Sequence, residues 1–411
     1  MRLDTLATEM RLALRNVTRQ RRRALLALAT IVGGVVALLL AGGFIQWILD
    51  SMRESTIHSH LGHVQIVRPG FYEKGIADPY SYLLPKQSST VESIERREEV
   101  QALAPRLVFS GLISHGDDTI SFAGEGVDPA KEKELSRAMN IVSGAAMGPE
   151  EPNGILLGQG LAANLGVAPG DLVVLMVNTA QGNLNAVDAK VVGLFATTAK
   201  AFDDGAIRVP IGLARQLVRV EGATSWVVLL QDTQATDGVV QSLRSTLPGG
   251  EFEVVPWHAL ADFYNKTVTL FSSQVKVVEM LIGLIIILSI TNTLSMAVIE
   301  RTGEIGTAMA LGMSRSAVLR QFVLEGLLLG MMGGLAGVMI GWLVAQIIST
   351  IGIPMPPPPG MAQSFIGHIL VTPGLAMNAL ILAIATTFLA SLLPAWKASR
   401  MIIVDALRHQ R

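Results

Sequence analysis

The 411-residue chain contains no cysteine, so disulfide bonds and thiolate metal sites contribute nothing to its fold. Any folded domain within it must therefore be stabilised by its own hydrophobic core. The lack of cysteine also removes the usual sequence indicator of an oxidising or a reducing compartment. Compartment has to be inferred from other features of the chain.

Motifs for catalysis and for metal binding are also missing. The sequence has no Gly-x4-Gly-Lys-Ser/Thr phosphate loop, no Gly-x-Ser-x-Gly nucleophile motif and no His-Glu-x-x-His zinc motif. The densest group of candidate ligands is His58, His60 and His63, whose spacing fits no standard zinc pattern. We interpret these histidines as a solvated turn between a helix and a strand. The sequence thus predicts no catalytic residue, no metal and no cofactor in this chain.

Hydrophobic sequence, by contrast, is abundant. Half of the residues are hydrophobic, and four uncharged stretches lie at residues 24–49, 280–299, 326–349 and 375–393. Each is about the 20 residues that an α-helix needs to cross the hydrocarbon core of a bilayer. The first stretch is too long for a signal peptide and no cleavage site follows it, so we interpret it as a retained anchor.

The charges indicate how the chain is oriented. Seven basic residues precede the first stretch, against only Asp4 and Glu9, which predicts a cytoplasmic N-terminus. Residues 51–266 contain 17 basic and 25 acidic residues, so we expect this block to be exported. The one dense basic cluster adjoins a hydrophobic stretch and indicates anionic lipid as its partner, not nucleic acid. The first twenty residues have the spacing of an interfacial amphipathic helix, with a solvated leader as the alternative.

The predicted fold is an α-helical membrane protein with four transmembrane helices and a large mixed α+β extracytoplasmic domain between helices 1 and 2. The predicted divisions are a cytoplasmic amphipathic helix (1–23), transmembrane helix 1 (24–50), a periplasmic α+β domain (51–266), transmembrane helix 2 with a periplasmic extension (267–299), a cytoplasmic coupling helix and loop (300–320), transmembrane helix 3 (321–350), a periplasmic loop (351–373), transmembrane helix 4 (374–394) and a cytoplasmic tail (395–411).

Within the polar block, the pattern of apolar residues predicts one compact domain with two lobes. Alternation at residues 63–68 predicts a strand, and Ser88 begins a helix that is expected to carry Leu103. Residues 172–177 read as a buried strand, and residues 178–188 as the polar tip of a hairpin.

Glycines recur at four-residue steps in the third hydrophobic stretch. Small residues at this spacing allow two helices to approach closely, so Gly333, Gly337 and Gly341 predict a packing face. A milder version of the pattern in the first stretch consists of Gly33, Ala37 and Ala41.

The connection after the second stretch is the most specific segment of the chain. It is predicted to be a short amphipathic helix, a turn at Gly312 and a helix that re-enters the membrane. We expect one charged face toward the cytosol and one apolar face toward the bilayer, which together suit docking of another protein. The charged face comprises Glu300, Arg301 and Glu304, and the apolar face comprises Ile305, Met309 and Leu311.

Residues 300–325 resemble a segment of the FtsX-like ABC transporter permeases, the family that includes MacB and the LolC/LolE subunits. Further segments are similar to that family in the same order, so the resemblance covers essentially the whole chain. These are residues 154–171, 191–195, 256–257, 393–400 and 405–408.

The resemblance implies a mechanism called mechanotransmission, in which a separate dimeric ATPase binds ATP and Mg²⁺ and moves long helices of the permease. The implied ATPase-coupling residues are Glu300, Arg301, Glu304, Ile305, Leu311 and Arg315. The implied substrate cavity lies between the first and second helices of two permease copies or paralogues. Its candidate residues are Phe44, Trp47, Ile48, Val268, Phe271 and Val275.

Among the family members, the LolC/LolE type is closest to this chain in size. The expected function is therefore that of a non-catalytic permease subunit that extracts a lipoprotein-like or amphipathic substrate from the outer leaflet of the inner membrane, with a periplasmic carrier or adaptor as a possible further partner. MacB-like efflux and FtsX-like signalling to a cell-wall hydrolase are the alternatives. A nucleotide-independent receptor is a fourth interpretation, which the docking segment disfavours.

Overall fold

The computed structural model describes residues 15, 19, 21–86, 88–148, 150–197, 199–355 and 365–402. Most of the predicted N-terminal amphipathic helix, residues 356–364 of the predicted periplasmic loop and the family-like residues 405–408 lie outside this set. The chain forms two compact units. The helical unit comprises residues 1–48, 268–353 and 366–411, and the sheet unit comprises residues 49–267 and 354–365.

The described helices, in chain order, are α1 (Arg21–Thr56), α2 (Ser89–Glu95), α3 (Pro129–Leu135), α4 (Gln159–Leu165), α5 (Lys200–Asp203), α6 (Ile211–Val218), α7 (Thr236–Thr246), α8 (Trp257–Leu260), α9 (Asp262–Glu300), α10 (Thr302–Ala310), α11 (Arg315–Ile351) and α12 (Pro373–Ser399). The described strands are β1 (Val64–Val67), β2 (Val100–His115), β3 (Asp118–Val127), β4 (Asn140–Gly144), β5 (Gly154–Gly158), β6 (Leu172–Asn178), β7 (Leu184–Ala196), β8 (Ala206–Pro210), β9 (Ser225–Leu230), β10 (Glu253–Pro256), β11 (Ile353–Met355) and β12 (Phe365–Gly367).

Four of these helices, α1, α9, α11 and α12, are long and apolar enough to cross a membrane. They share one hydrophobic cluster, in which Ile31 and Leu38 of α1 meet Ile290 of α9, Leu329 of α11 and Ala383 of α12. Many other apolar residues of these helices remain exposed. This distribution is expected for helices whose outer surfaces face lipid, because lipid needs no polar covering.

The glycines of α11 allow close contact with α1. A Cβ atom built on Gly337 would lie 2.7 Å from the Cβ of Val35, and one built on Gly341 would lie 2.7 Å from a methyl group of Leu39. Such distances are too short for any side chain, so glycine is what brings the two backbones together. The packing face is therefore occupied within the chain.

The stripe of small residues on α1 behaves differently. Gly33, Ala37 and Ala41 are exposed, and no described atom lies within 4 Å of a Cβ built on Gly33. The contact of α1 with α11 instead involves Ile31, whose methyl group would lie 2.8 Å from a Cβ on Gly333. The glycines of α11 therefore pack against α1, whereas the small residues of α1 are exposed, although the two sequence patterns are similar.

The sheet unit is built on a ten-stranded mixed sheet. Along the described sheet the strand order is β10-β1-β9-β2-β3-β8-β5-β7-β4, with β6 paired to both β2 and β7. The 16-residue strand β2 pairs with β9 in its first half and with β6 in its second half. Two large clusters of buried apolar residues pack in this unit, one including Phe109 and Leu175 and the other including Trp226 and Leu243.

Three local predictions within this unit were wrong. The helix after Ser88 ends at Glu95, and Leu103 lies in β2 because residues 100–106 pair with β9. Strand β6 alternates between exposed and buried residues, since only one of its faces is covered by the core. The hairpin tip is shorter than predicted, because β6 and β7 remain paired as far as Asn178 and Leu184.

Candidate functional site

The segment between α9 and α11, residues 300–315, is here named the coupling turn. Helix α10 occupies most of it and ends at Ala310, after which Gly312 reverses the chain with a φ of 101°. A positive φ of this kind is readily adopted only by glycine. Ser314 then caps α11 by accepting a hydrogen bond from the Ala317 amide, so the turn is fixed at both ends.

The apolar face of α10 packs against protein. Ile305 and Met309 are buried with Phe322 of α11 and Ala395 of α12. We expected this face to lie against the bilayer. Instead, the first turns of α11 and the last turns of α12 cover it. Leu311 is the exception, since it follows the helix and is 85% exposed.

Arg301 also differs from the expectation that it would face the cytosol. Its Nη1 atom donates to Oε1 of Glu325 at 3.2 Å, and its guanidinium lies 5.9 Å from the ring centre of Phe322. The Glu325 side chain is only 5% exposed, and a carboxylate at such a position requires a positive partner. Arg301 turns inward to supply that charge and ties the start of α10 to α11.

The two acidic residues of the coupling turn are paired as well. Glu304 lies 3.0 Å from Arg19, and Glu300 accepts hydrogen bonds from Arg23. All four side chains are at least a third exposed, so these pairs contribute little to stability and can exchange partners. Arg315, the sixth predicted coupling residue, is exposed at the start of α11.

Two of the predicted cavity residues on α1 pack within the chain. Phe44 stacks on Trp47 with ring centres 6.3 Å apart, and Trp47 meets the edge of His368 at 5.7 Å. On α1, Ile48 is partly covered. On α9, Val268, Phe271 and Val275 are partly covered and share one face of the helix, whereas the residues between them are exposed. The structure thus supports a common face for the α9 set, and on α1 it shows that Phe44 and Trp47 pack on each other.

The three histidines do not form a solvated turn, contrary to the prediction. His58 and His63 are buried, and His60 stacks on Phe202 with ring centres 5.1 Å apart. Nδ1 of His63 accepts a hydrogen bond from the Leu230 amide, so its neutral ring carries the proton on Nε2, next to the Thr233 hydroxyl. Burial, together with the nearby His58, lowers the pKa of His63 to about 4.

The sequence did not single out four charged residues that the sheet unit brings together, namely the buried Arg106, Arg208 and Glu132 and the partly buried Glu125. One indicator was available in the sequence: Arg208 stands directly between the apolar residues Ile207 and Val209. A charged residue inside an apolar strand indicates a buried partner of opposite charge.

Comparison with known proteins identifies two family domains in this chain. Residues 277–403 match the FtsX-like permease C-terminal family, and residues 24–246 match the MacB-like periplasmic core domain. The lipoprotein-releasing system transmembrane protein LolC of Xylella fastidiosa is 28% identical over 307 residues, which are 69% of this chain and 72% of that protein. An uncharacterized ABC transporter permease of Methanocaldococcus jannaschii is 23% identical and covers 100% of this chain and 99% of its own length.

Two MacB proteins are also similar. The macrolide export ATP-binding/permease protein MacB of Hyphomonas neptunium is 36% identical over 137 residues, which are 33% of this chain and 19% of that protein. The crystal structure of the periplasmic region of MacB from Actinobacillus actinomycetemcomitans aligns with 50% of this chain and 93% of its own, with a TM-score of 0.35 and 13% identity.

Proposed function

Because the chain belongs to the ABC transporter permeases with a MacB-like periplasmic core domain and an FtsX-like C-terminal region, we propose that a separate ATPase drives it to extract a lipoprotein-like or amphipathic substrate from the outer leaflet of the inner membrane. In this proposal ATP and Mg²⁺ are bound by the ATPase, and a second copy or a paralogue completes the permease pair. The relative named for lipoprotein release, which matches over 69% of the chain, supports this substrate class.

The observation that carries the proposal is the construction of the coupling turn. Leu311 and Met313 expose apolar side chains on either side of Gly312, and the helix before them is fixed by buried Ile305 and Met309. Covering an exposed apolar side chain with a partner protein removes apolar area from water, which favours binding. We infer that Leu311 enters the ATPase, while Glu300 and Glu304 orient it.

The proposed orientation follows from the charges and from the four apolar helices. An N-terminus on the cytoplasmic side, as the excess of basic residues there indicates, leaves the sheet unit outside the cytoplasm and returns the C-terminal residues to the cytoplasm. The coupling turn, which lies between the second and third of these helices, is then also cytoplasmic, where ATP is available.

The proposed substrate path runs between the candidate cavity residues of α1 and those of α9. Val268, Phe271 and Val275 offer a partly covered apolar face of α9 to the acyl chains or other apolar groups of the substrate. Phe44 and Trp47, which stack on each other, form the opposite wall together with Ile48, and Trp47 also contacts His368. An apolar enclosure is required because exposing acyl chains to water during extraction costs free energy in proportion to their area.

Substitution of Leu311 by aspartate tests the coupling site. We expect Leu311→Asp to abolish co-purification of the ATPase subunit and its stimulated ATP hydrolysis, without loss of the folded chain, because Leu311 is exposed. Leu184→Asp is the matched control, since Leu184 is 72% exposed on the sheet unit. The purified chain alone should hydrolyse no ATP.

Unchanged binding of the ATPase by Leu311→Asp would place the coupling site elsewhere. Robust hydrolysis by the isolated, contaminant-free chain would contradict the division of labour between a permease and a separate ATPase.

A further inference from the structure

Arg208 of β8 lies at the centre of a cluster of charges that is largely buried, with Glu125 its most exposed member at 15%. Its side chain is fully buried, and its guanidinium donates to Oε2 of Glu125 at 3.0 Å, to Oε1 of Glu132 at 3.2 Å and to the Ser136 hydroxyl at 2.5 Å. The remaining nitrogen, Nη2, donates to the backbone carbonyl of Ser59 at 2.8 Å. One arginine thus connects β3 and α3 to the segment that follows α1.

Arg106 of β2 makes a second connection of the same kind. It is 2% exposed, donates to Oε1 of Glu132 at 2.5 Å, and donates to the backbone carbonyl of His60. Burial acts to lower the pKa of Arg106, but the negative charges of Glu132 and Glu125 together outweigh burial and raise this pKa. We name Arg106, Arg208, Glu125 and Glu132 the helix-end cluster.

The segment that receives these hydrogen bonds is the direct continuation of α1. After Thr56 the helix widens into one π-helical turn, Ile57–Leu61, which Gly62 closes by donating to the Ile57 carbonyl at 2.9 Å. The last carbonyls of any helix lack donors within the helix. Here two of them are bonded to buried arginines that belong to the sheet.

A second set of contacts holds the same segment from another side. Glu54, in the last turn of α1, accepts a hydrogen bond from the Thr233 hydroxyl at 3.1 Å. Thr233 also lies 3.0 Å from Nε2 of His63, whose Nδ1 is bonded to the amide of Leu230 in β9. The end of α1 is therefore attached by hydrogen bonds both to β2 and β8 and to the end of β9.

Stability does not explain the helix-end cluster. Two buried cations, one buried anion and one partly buried anion lose hydration, and replacing such groups with apolar residues of similar volume is often neutral or stabilising. What the arginines add is direction, because each hydrogen bond fixes one particular carbonyl. Purely apolar side chains would cover the helix end without fixing any one of its carbonyls, because hydrophobic contact has no preferred direction.

We propose that Arg106 and Arg208 are positioning residues that lock the end of α1 to the sheet, so that movement of this helix is transmitted to the sheet unit. The proposal rests on the proposed function, since it is the ATPase that would move the helix. It assigns the step between helix movement and domain movement to identified atoms, the guanidinium groups and the carbonyls of Ser59 and His60.

The combined variant Arg106→Met, Glu125→Met, Glu132→Met and Arg208→Met tests the lock, and we expect it to fold. Removing one charge alone leaves others buried without compensation, whereas removing all four leaves none, and methionine adapts to the vacated volume. The matched control is Arg215→Met. Arg215 is a half-buried arginine of the same unit whose Nε donates to a backbone carbonyl, that of Gly222 at 3.1 Å, but it does not hold α1.

The first measurement uses the full chain in lipid nanodiscs. Since the chain has no cysteine, Ser51→Cys on α1 and Ser121→Cys on β3 give a unique pair of positions for spin labels, both exposed. We expect one narrow distance distribution in the otherwise unchanged chain and in the Arg215→Met variant, and a broad or multiple distribution in the four-methionine variant. An equally narrow distribution in the four-methionine variant would overturn the proposal.

The second measurement uses the complex with the ATPase subunit in proteoliposomes containing a lipoprotein. The four-methionine variant should release about tenfold less lipoprotein per ATP hydrolysed, the scale of a typical coupling free energy between sites, while its ATP hydrolysis is retained. Equal release per ATP would overturn the lock as a transmitting element. If the unaltered complex releases no lipoprotein, the proposed substrate fails, and the distance measurement still decides whether the arginines hold the helix end.

Discussion

The helix-end cluster and the coupling turn use the same chemistry, carboxylates paired with arginines, in opposite surroundings. In the cluster the Arg208 side chain is 0% exposed and that of Glu132 is 7% exposed. At the coupling turn the side chains of Arg23 and Glu300 are 33% and 43% exposed. Buried pairs cannot exchange partners without leaving a charge in an apolar interior, whereas exposed pairs exchange readily.

This difference indicates a division between a permanent joint and an exchangeable surface. The buried cluster holds the end of α1 in one arrangement. The exposed pairs leave Glu300 and Glu304 able to bind either the arginines of their own chain or those of a partner. Breaking each kind of pair should therefore have different consequences.

The largest effect is expected from a single substitution in the cluster. Arg208→Met leaves Glu125 and Glu132 buried without one of their cations, and we expect a loss of about 3–5 kcal/mol in the free energy of unfolding of the sheet unit. Denaturant unfolding of the full chain measures it. The exposed counterpart, Arg19→Met, should change stability by about 0.5 kcal/mol or less. Equal losses in the free energy of unfolding for the two variants would contradict the difference between buried and exposed ion pairs.

A similar contrast between an enclosed and an open position exists in the helical unit. Gly337→Leu forces a side chain into Val35 of α1 and should cost about 1–3 kcal/mol or prevent assembly of the helices. Gly33→Leu enters open space within the chain and should leave its thermal stability in detergent unchanged. Wild-type stability of the Gly337 variant would mean that α1 and α11 separate more easily than their packing indicates.

An intermediate effect concerns pH. The pKa of His63 is about 4 in the folded chain and about 6.5 when the residue is exposed, so the unfolded state binds the extra proton first as the pH falls. The contribution of His63 is fully present above pH 6.5 and is lost progressively between pH 6.5 and pH 4. His63→Gln should reduce the difference in melting temperature between pH 7.5 and pH 5. The same pH dependence in both proteins would exclude His63 as its source.

The smallest change in stability, but a clear change in binding, is expected at the coupling turn. Reversing Glu300 and Glu304 together to lysine should leave insertion and folding intact and reduce pull-down of the ATPase subunit, because exposed charges orient partners more than they stabilise the fold. Combining Glu300→Lys with Arg23→Glu restores the ion pair between these two positions. If this exchange recovers the ATPase binding that Glu300→Lys alone loses, the pair acts only within the permease; if it does not, Glu300 contacts the ATPase.

The sequence was sufficient for features that depend on long, repeated patterns. Four apolar stretches appeared as α1, α9, α11 and α12, and the family was identified from residues 300–325 together with five further segments. The glycine register of residues 333–341 was recognised because close helix contact allows few alternatives to small residues. The partner helix, α1, was not identifiable, since spacing on one helix carries no information about which neighbour it meets.

Features set by tertiary contacts were missed. Arg301 was assigned to solvent because nothing nearby in the sequence shows that Glu325 is buried. The histidines were assigned to a solvated turn because their partners, Thr233 and Leu230, lie about 170 residues away. The helix-end cluster was missed for the same reason, as Arg208 is 149 residues from Ser59. Contacts of this range are decided by strand order, which local patterns do not reveal.

The most direct test of the account is ATP-dependent release of a triacylated lipoprotein from proteoliposomes that contain the chain and its ATPase subunit. We predict release with ATP for the unaltered chain and none for Leu311→Asp, in which the ATPase no longer binds. Peptides or small molecules, the substrates of the MacB-like alternative, should not be transported. Export of such compounds with no release of lipoprotein, or release that continues unchanged in Leu311→Asp, would contradict the account.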